Sequence, residues 1–297
     1  MSKKKSIIYQ TNETLHEKLH IGEKRHLAKQ QDTASDVING WGTFKTYLAR
    51  SCAFAKWVKK YYGCGILADA RIYVDAYLQY LINQGYSPST QKTTACALAK
   101  LYGCSSKDFI PTQTRHRANI TRSRQGKAIF AEERNKEFVD FCKATGLRRS
   151  EIRNLKPENL SFDEATGEYK LVNIKGKGGR IRECPILSDK VVERILNTPP
   201  GQKVWGKIPS RADIHSYRAE YCKAIYNLHV RPINEIPNIP KGDRYYCRKD
   251  MKGVVLDRRA MKIASQALGH NRVSVIAGHY LYDMPCYNAK DKGGGQP

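Results

Sequence analysis

The apolar rhythm of this chain is interrupted once, and that interruption fixes how it can fold. Apolar residues recur at helical spacing from Asp36 to Gly103. Between Ser105 and Lys127 the recurrence is lost, and from Phe130 onward helical and strand periods alternate. A helix hides a stripe that returns every three or four residues, and a half-buried strand hides every second residue. Two separately cored parts joined by a polar segment satisfy that pattern.

In the first part Trp41, Phe44, Leu48, Ala55 and Val58 share a helical face, and Gly63 is a stop. A second helix over about 69–84 carries Val74, Tyr77, Leu78 and Leu81 on one side, with Gly85 past its end. Ser87-Pro88 reads as a capping serine and a first-turn proline, opening a third helix through Ala95, Leu98 and Leu101 to Gly103. The aromatic stripe reads as core rather than as a base-stacking surface. The organisation expected is a basic arm over 1–33, flexible or holding a short helix, then a helical domain over 34–104. A basic linker follows over 105–129, a second domain over 130–284 and a loose tail over 285–297.

Lys and Arg number 52 against 28 acidic residues, a formal charge of +24. Such an excess speaks about partners rather than fold, and a polyanion is its natural counterpart: nucleic acid first, an anionic membrane surface second. Arg115, Arg117, Arg122, Arg124 and Lys127 fall in the linker with no acid between them, which reads as a strap tracking phosphates. No apolar run is long enough to span a bilayer, and the segment after Lys5 is too short and polar for a signal-peptide core. A cytoplasmic, nucleoid-associated protein with no membrane contact is expected. Nine cysteines include no Cys-x-x-Cys pair and sit mostly in apolar runs. They read as buried reduced thiols, with neither a zinc site nor a disulfide scaffold.

The second part reads as α+β, mainly helical with a small antiparallel sheet. Helices are expected over about 132–144, 149–155, 189–196, 211–228 and 258–268. Strands are expected over 169–174 and 180–186, joined at Gly176-Lys177-Gly178-Gly179. A proline-rich stretch over 231–241 precedes a further hairpin over about 244–256.

Four segments of this part carry the chemistry: Thr145-Gly146-Leu147-Arg148-Arg149-Ser150-Glu151, Gly176-Lys177-Gly178, His215-Ser216-Tyr217-Arg218, and Leu268-Gly269-His270 followed by Ala277-Gly278-His279-Tyr280-Leu281-Tyr282. In order and spacing this set resembles the tyrosine recombinase, or phage-type integrase, family, over about Phe130 to Tyr282 and more faintly over 34–104. The resemblance implies a helical core-binding domain followed by a catalytic domain, and site-specific cleavage and rejoining of DNA through a 3′-phosphotyrosine link, in integration or excision. It implies four protomers on two double-stranded DNA sites, with a free monomer and accessory DNA-bending or directionality proteins as further expectations. The departures are a Tyr280 one position later than the family spacing and a long gap between Arg218 and His270.

Elementary chemistry gives those residues the same roles. A phosphodiester is anionic and repels nucleophiles. Arg148 and Arg218 can each grip its oxygens with paired donors, and His270 can add another. Fixed cations of this kind need neither metal nor other cofactor. Lys177 can protonate the departing 5′ oxygen. Tyr280 is the nucleophile, with His215 as base and phosphate contact and Glu151 orienting Arg148 or His215. Arg149 competes with Arg148, Lys175 with Lys177, and Tyr282, then Tyr287, with Tyr280. A non-cleaving DNA-binding protein on the same fold, and a type IB topoisomerase-like or resolving enzyme, are the alternatives.

Overall fold

The computed structural model describes residues 5–23, 30, 36–116, 130–176, 179–270, 272–282, 284 and 287–288. By its internal contacts the chain divides into two units, residues 1–120 and 121–297.

The first unit is helical: α1 (Ile7–Glu17), α2 (Trp41–Tyr62), α3 (Val74–Asn83) and α4 (Pro88–Tyr102). Two of its ends follow from local chemistry. Ser87 caps α4 by accepting a hydrogen bond from the Thr90 amide at 3.2 Å, with Pro88 at the first helical position. α2 closes on Gly63. Phe44, Phe54, Leu78 and Leu98 fill the core. Trp41, expected on the buried stripe, is 54% exposed because it opens α2 rather than lying within it.

Two segments outside the three expected helices also pack on this unit. The arm holds a short helix, whose Ile7, Thr11 and Leu15 are buried against α2. Gln10 ties α1 to the loop after α2, donating to the Gly65 carbonyl at 3.0 Å and accepting from the Leu67 amide at 2.9 Å. The first part of the linker is held as well. Phe109 is buried, the Ile110 amide donates to Asp75 at 2.9 Å, and the Gln91 and Gln113 side chains are joined at 3.0 Å. Arg115 is exposed; Arg117, Arg122, Arg124 and Lys127 lie outside the described residues.

The second unit is mainly helical with two small antiparallel sheets. Its elements in order are α5 (Lys136–Thr145), α6 (Arg149–Asn154), β1 (Leu160–Asp163), β2 (Glu168–Lys175), β3 (Ile181–Pro185), α7 (Asp189–Leu196), α8 (Ile214–His229), β4 (Arg244–Tyr246), β5 (Val254–Asp257), α9 (Arg258–Ala267), α10 (Val273–His279) and β6 (Tyr287–Asn288). One sheet has the order β1-β2-β3 and the other β4-β5-β6. β1 and α10 are additions to the sequence reading. So is β6, where the tail pairs Asn288 and Tyr287 with Val254 and Val255.

Helix α8 organises the unit. Its first half, with Ile214 and Tyr217, packs in a core formed by Phe138, Phe141, Leu147, Ile152 and Leu171. Its second half, with Cys222, Ile225 and Tyr226, packs in another formed by Leu256, Met261, Leu268 and Ile276. Arg218 lies between the halves, 2% exposed.

α5 ends at Gly146 in a left-handed conformation, φ 57°. A Cβ there would stand 2.2 Å from the Tyr221 ring, so the approach of α8 to this turn leaves no room for a side chain. Gly146→Ala is therefore expected to lower the unfolding free energy by about 2–4 kcal/mol, combining backbone strain and overpacking. Urea denaturation measures it; a loss under about 1 kcal/mol would show that the turn can move away from α8.

Candidate active site

Arg148 is the residue before α6, and Glu151 reaches back to it. The Arg148 amide donates to Glu151 Oε2 at 2.7 Å and its guanidinium donates to Oε1 at 2.6 Å. The first bond is half of a capping box. The second means that the carboxylate that closes the helix also aims the arginine. Arg148 Nη2 reaches the Leu268 carbonyl at 3.3 Å. Arg218 donates to the same carbonyl and to that of Gly146. Two arginines far apart in sequence thus meet at the C-terminal end of α9, where helix carbonyls present partial negative charge.

A third arginine completes the group, one that the sequence reading did not single out. Arg182, on β3, is buried and donates to Glu151 Oε2 at 2.8 Å and to the Ala267 carbonyl. It passes so close beneath Gly269 that a Cβ there would lie 2.5 Å from its Cδ, and Gly269 also needs its φ of 67°. The glycine of the Leu-Gly-His segment is thereby explained by packing on Arg182. The alternation of β3 offered a signal for Arg182: it shares the inward face with Cys184. Burial would raise the Glu151 carboxyl, but the Arg182 charge, the Arg148 amide and the Arg148 charge hold it below its ordinary range. Burial and the neighbouring Arg148 lower Arg218 from the usual arginine value.

His270 follows this turn, and its Nε2 is 3.4 Å from the Tyr280 hydroxyl. Burial, then the charges of Arg218, Arg148 and Arg182, push its pKa down to about 4. The imidazole is neutral at pH 7 and faces the phenolic hydroxyl. His215, on the first turn of α8, sets its ring edge-on to Tyr280 at 5.6 Å between centroids. Tyr280 is 3% exposed, whereas Tyr282 is 38% exposed and lies by the Lys223 ammonium instead.

Arg148, Arg218, His270, His215 and Tyr280 are brought together. Arg149, the rival of Arg148, is engaged elsewhere, donating to the carbonyls of Pro209 at 2.7 Å and Ala212 at 2.8 Å. Lys177 lies outside the described residues. Its neighbour Gly176 adjoins the site: a Cβ there would be 3.2 Å from Glu151 Oε1 and 3.3 Å from Arg148 Nη1. Lys175, the other candidate, is exposed at the end of β2. Among the described residues no cluster of His, Cys, Asp or Glu is placed to hold a metal, the described cysteines are free, and no helix is long and apolar enough to cross a membrane.

No family model matches the chain, and neither does any curated protein. Among solved structures it is similar to a fragment of the Tn1549 transposon integrase in complex with transposon right-end DNA, at 11% identity over 93% of this chain and 95% of that one, TM-score 0.46. The same integrase in complex with circular-intermediate DNA aligns at 10% identity with the same coverage and score. XerA recombinase aligns at 13% identity over 92% of this chain and 93% of that one, TM-score 0.29. Identities this low do not say which residues react.

Two outcomes test the geometry. Arg182→Ala strips a buried carboxylate of one partner and is expected to cost about 3–5 kcal/mol of unfolding free energy; a cost below about 1 kcal/mol would mean that Arg148 alone suffices for Glu151. His270, neutral when folded, takes a proton on unfolding once the pH is below its ordinary 6.5. The unfolded chain then binds more protons, so stability present above pH 6.5 is lost as pH falls toward about 4. His270→Asn should flatten that stretch of a melting-temperature profile; an unchanged slope would contradict the buried neutral imidazole.

Proposed function

We propose that this chain is a site-specific DNA recombinase of the tyrosine class, cleaving and rejoining strands through a covalent bond between Tyr280 and a 3′ phosphate. One observation carries the reading: Arg148 and Arg218 converge on the Leu268 carbonyl, two residues before the histidine that meets the Tyr280 hydroxyl.

Three guanidiniums (Arg148, Arg182 and Arg218) against the single Glu151 carboxylate leave two uncompensated positive charges. A phosphodiester brings one negative charge, and its pentavalent transition state concentrates more on the non-bridging oxygens. A preorganised excess of cations therefore favours the transition state over the ground state. Arg148, with 27% of its side chain exposed, is the arginine that an incoming phosphate meets first. Arg218 and Arg182 lie deeper, so Arg182 acts through Glu151 as a positioning residue.

The phenolic oxygen of Tyr280 attacks phosphorus, and the bond to the 5′ oxygen breaks. The phenolic proton passes to a neutral imidazole. His270 has the ring nitrogen within 3.4 Å of that oxygen but is a weak base among three arginines, which favours His215, whose ring stands edge-on to the same phenol, as the acceptor and leaves His270 to contact phosphate. Lys177, next to Gly176, supplies the proton that the departing 5′ oxygen needs. The phosphotyrosine bond conserves the energy of the broken linkage, so a second strand's 5′ hydroxyl can reverse the attack without a nucleotide cofactor. Exchange between two duplexes calls for four protomers on two DNA sites, with accessory DNA-bending or directionality proteins choosing the direction.

The test is to mix the protein with a pool of duplexes, each nicked within a randomised region, and to look for protein–DNA adducts that survive denaturant. The wild type is expected to form them, Tyr280→Phe to form none, and Tyr282→Phe to keep them. Arg148→Ala should slow adduct formation by about 10²–10³. Adducts that persist in Tyr280→Phe would move the nucleophile elsewhere, and binding without any adduct would make the chain a DNA-binding protein that does not cut.

A further inference from the structure

A second cationic feature lies at the other end of α9, where the segment between Arg218 and His270 rejoins the fold. A cleft of about 670 Å³ is lined there by Arg258, Arg259, Lys262, Arg272, Ser274 and Asp243. The four cations are exposed. None forms an ion pair among the described residues. Arg258 and Arg259 reach only backbone carbonyls, those of Gly242 and His229, each at 3.4 Å.

The carboxylates nearby are already committed. Asp257 is buried, caps α9 by accepting from the Arg259 and Ala260 amides, and holds Arg231 at 2.7 and 2.9 Å. Asp243 accepts from the same Arg231 at 3.1 Å. Five cations against two carboxylates leave three positive charges without a counterion. Arg258 and Arg259 also occupy the first turn of α9, which contains no acid. Helix N-termini carry partial positive charge and favour Asp or Glu in that turn, so two arginines there are a cost to folding. Asp257 at the cap offsets part of that cost but is shared with Arg231, and local rules broken in this way are expected at functional positions.

We propose that this cleft binds the phosphodiester backbone of duplex DNA, at a site separate from the catalytic arginines. α9 has ten residues, so its first turn stands about 15 Å along the helix from the carbonyls that gather Arg148 and Arg218. The occupant is a run of phosphates, not one phosphate: the cleft is too large for a single group, and its cations are exposed and spread over successive turns. Backbone contacts of this kind set affinity and register without reading sequence. The inserted segment, with exposed Lys241, Arg248, Lys249 and Lys252 on the same excursion of chain, thereby gains a role as an added DNA-holding element. This inference goes beyond the catalytic reading and does not need it, because a chain that bound and never cut would still use the cleft.

The experiment is equilibrium binding of the full chain to a 30-base-pair duplex of arbitrary sequence (a length of roughly three helical turns at about 3.4 Å per base pair), followed by fluorescence anisotropy across a potassium chloride series. Each phosphate contact contributes about 0.9 to the slope of log affinity against log salt. Arg259→Ala/Lys262→Ala should make the slope shallower by about 1–2 and weaken binding at low salt, with no fall in melting temperature. Lys190→Ala/Lys203→Ala removes the same charge from exposed positions outside the cleft and should change the slope less. Equal slopes for the two double variants, or a cleft variant that binds like the wild type, would overturn the proposal. Lys262→Glu gives a second reading at one position, since charge reversal at a true contact weakens binding more than removal does. Adduct formation is not the readout, so failure of the cutting chemistry and failure of this site are told apart.

Discussion

The second unit depends on a single exchange of charge: three arginines arranged around one glutamate and the last carbonyls of one helix. Glu151 alone cannot hold Arg148 and Arg182 in place, and the carbonyls of Ala267 and Leu268 alone cannot offset three guanidiniums. Together they do both. The carboxylate fixes two of the arginines, the helix end receives all three, and a surplus of positive charge remains. Charges this deeply placed are tolerated only when donors and acceptors are matched. The match is nearly complete; among the fully buried side-chain atoms of these groups, the Arg182 Nε is the one without a hydrogen-bond partner.

That requirement accounts for the packing around it. α8 sits between two cores, so Arg218 is delivered to a point that neither core could reach alone. Gly146 lets α8 approach the turn whose carbonyl Arg218 uses, and Gly269 lets Arg182 pass under the turn that presents His270. Gly146 is demanded by the Tyr221 ring of the helix that carries Arg218, and Gly269 by Arg182 itself. The suppressed basicity of His270 is a further consequence, because an imidazole buried beside three guanidiniums is disfavoured as a cation. The same three cations therefore hold the nearest histidine neutral and make it a weak base.

Much of this was legible in the sequence, for reasons that differ by element. The α4 boundaries follow from Ser87, Pro88 and Gly103, which are local signals with local causes. The β2–β3 hairpin follows from alternation on either side of a glycine-rich turn. Arg148, Arg218, His270 and Tyr280 stood out because their spacing matched a pattern, whereas the engagement of Arg149 depends on carbonyls some sixty residues away in the chain. Arg182 escaped notice because its partners, Glu151 and Ala267, are distant in sequence, and an arginine in a strand ordinarily faces water. The packing of α1 was hidden by its polar composition: only Ile7, Thr11 and Leu15 are buried, too sparse a stripe to set against so many charges. β6 was hidden because two residues make no period.

The long gap between Arg218 and His270 raises the question of how a site can survive an insertion between two of its members. The structure answers with a clasp at the insertion's base. Arg231, where the excursion starts, grips Asp257, where it ends, through two guanidinium nitrogens and its own amide. The Asp257 amide donates to the Tyr226 hydroxyl on α8 at 3.1 Å, and its carboxylate caps α9. The helix bearing Arg218 and the helix leading to His270 are therefore joined directly at Asp257, whatever lies between them in sequence. Loop-closure entropy grows slowly with loop length, so once the two ends are fixed the excursion itself adds little strain to the site. An excursion so anchored places little demand of its own on the site, and in this chain it carries lysines and arginines.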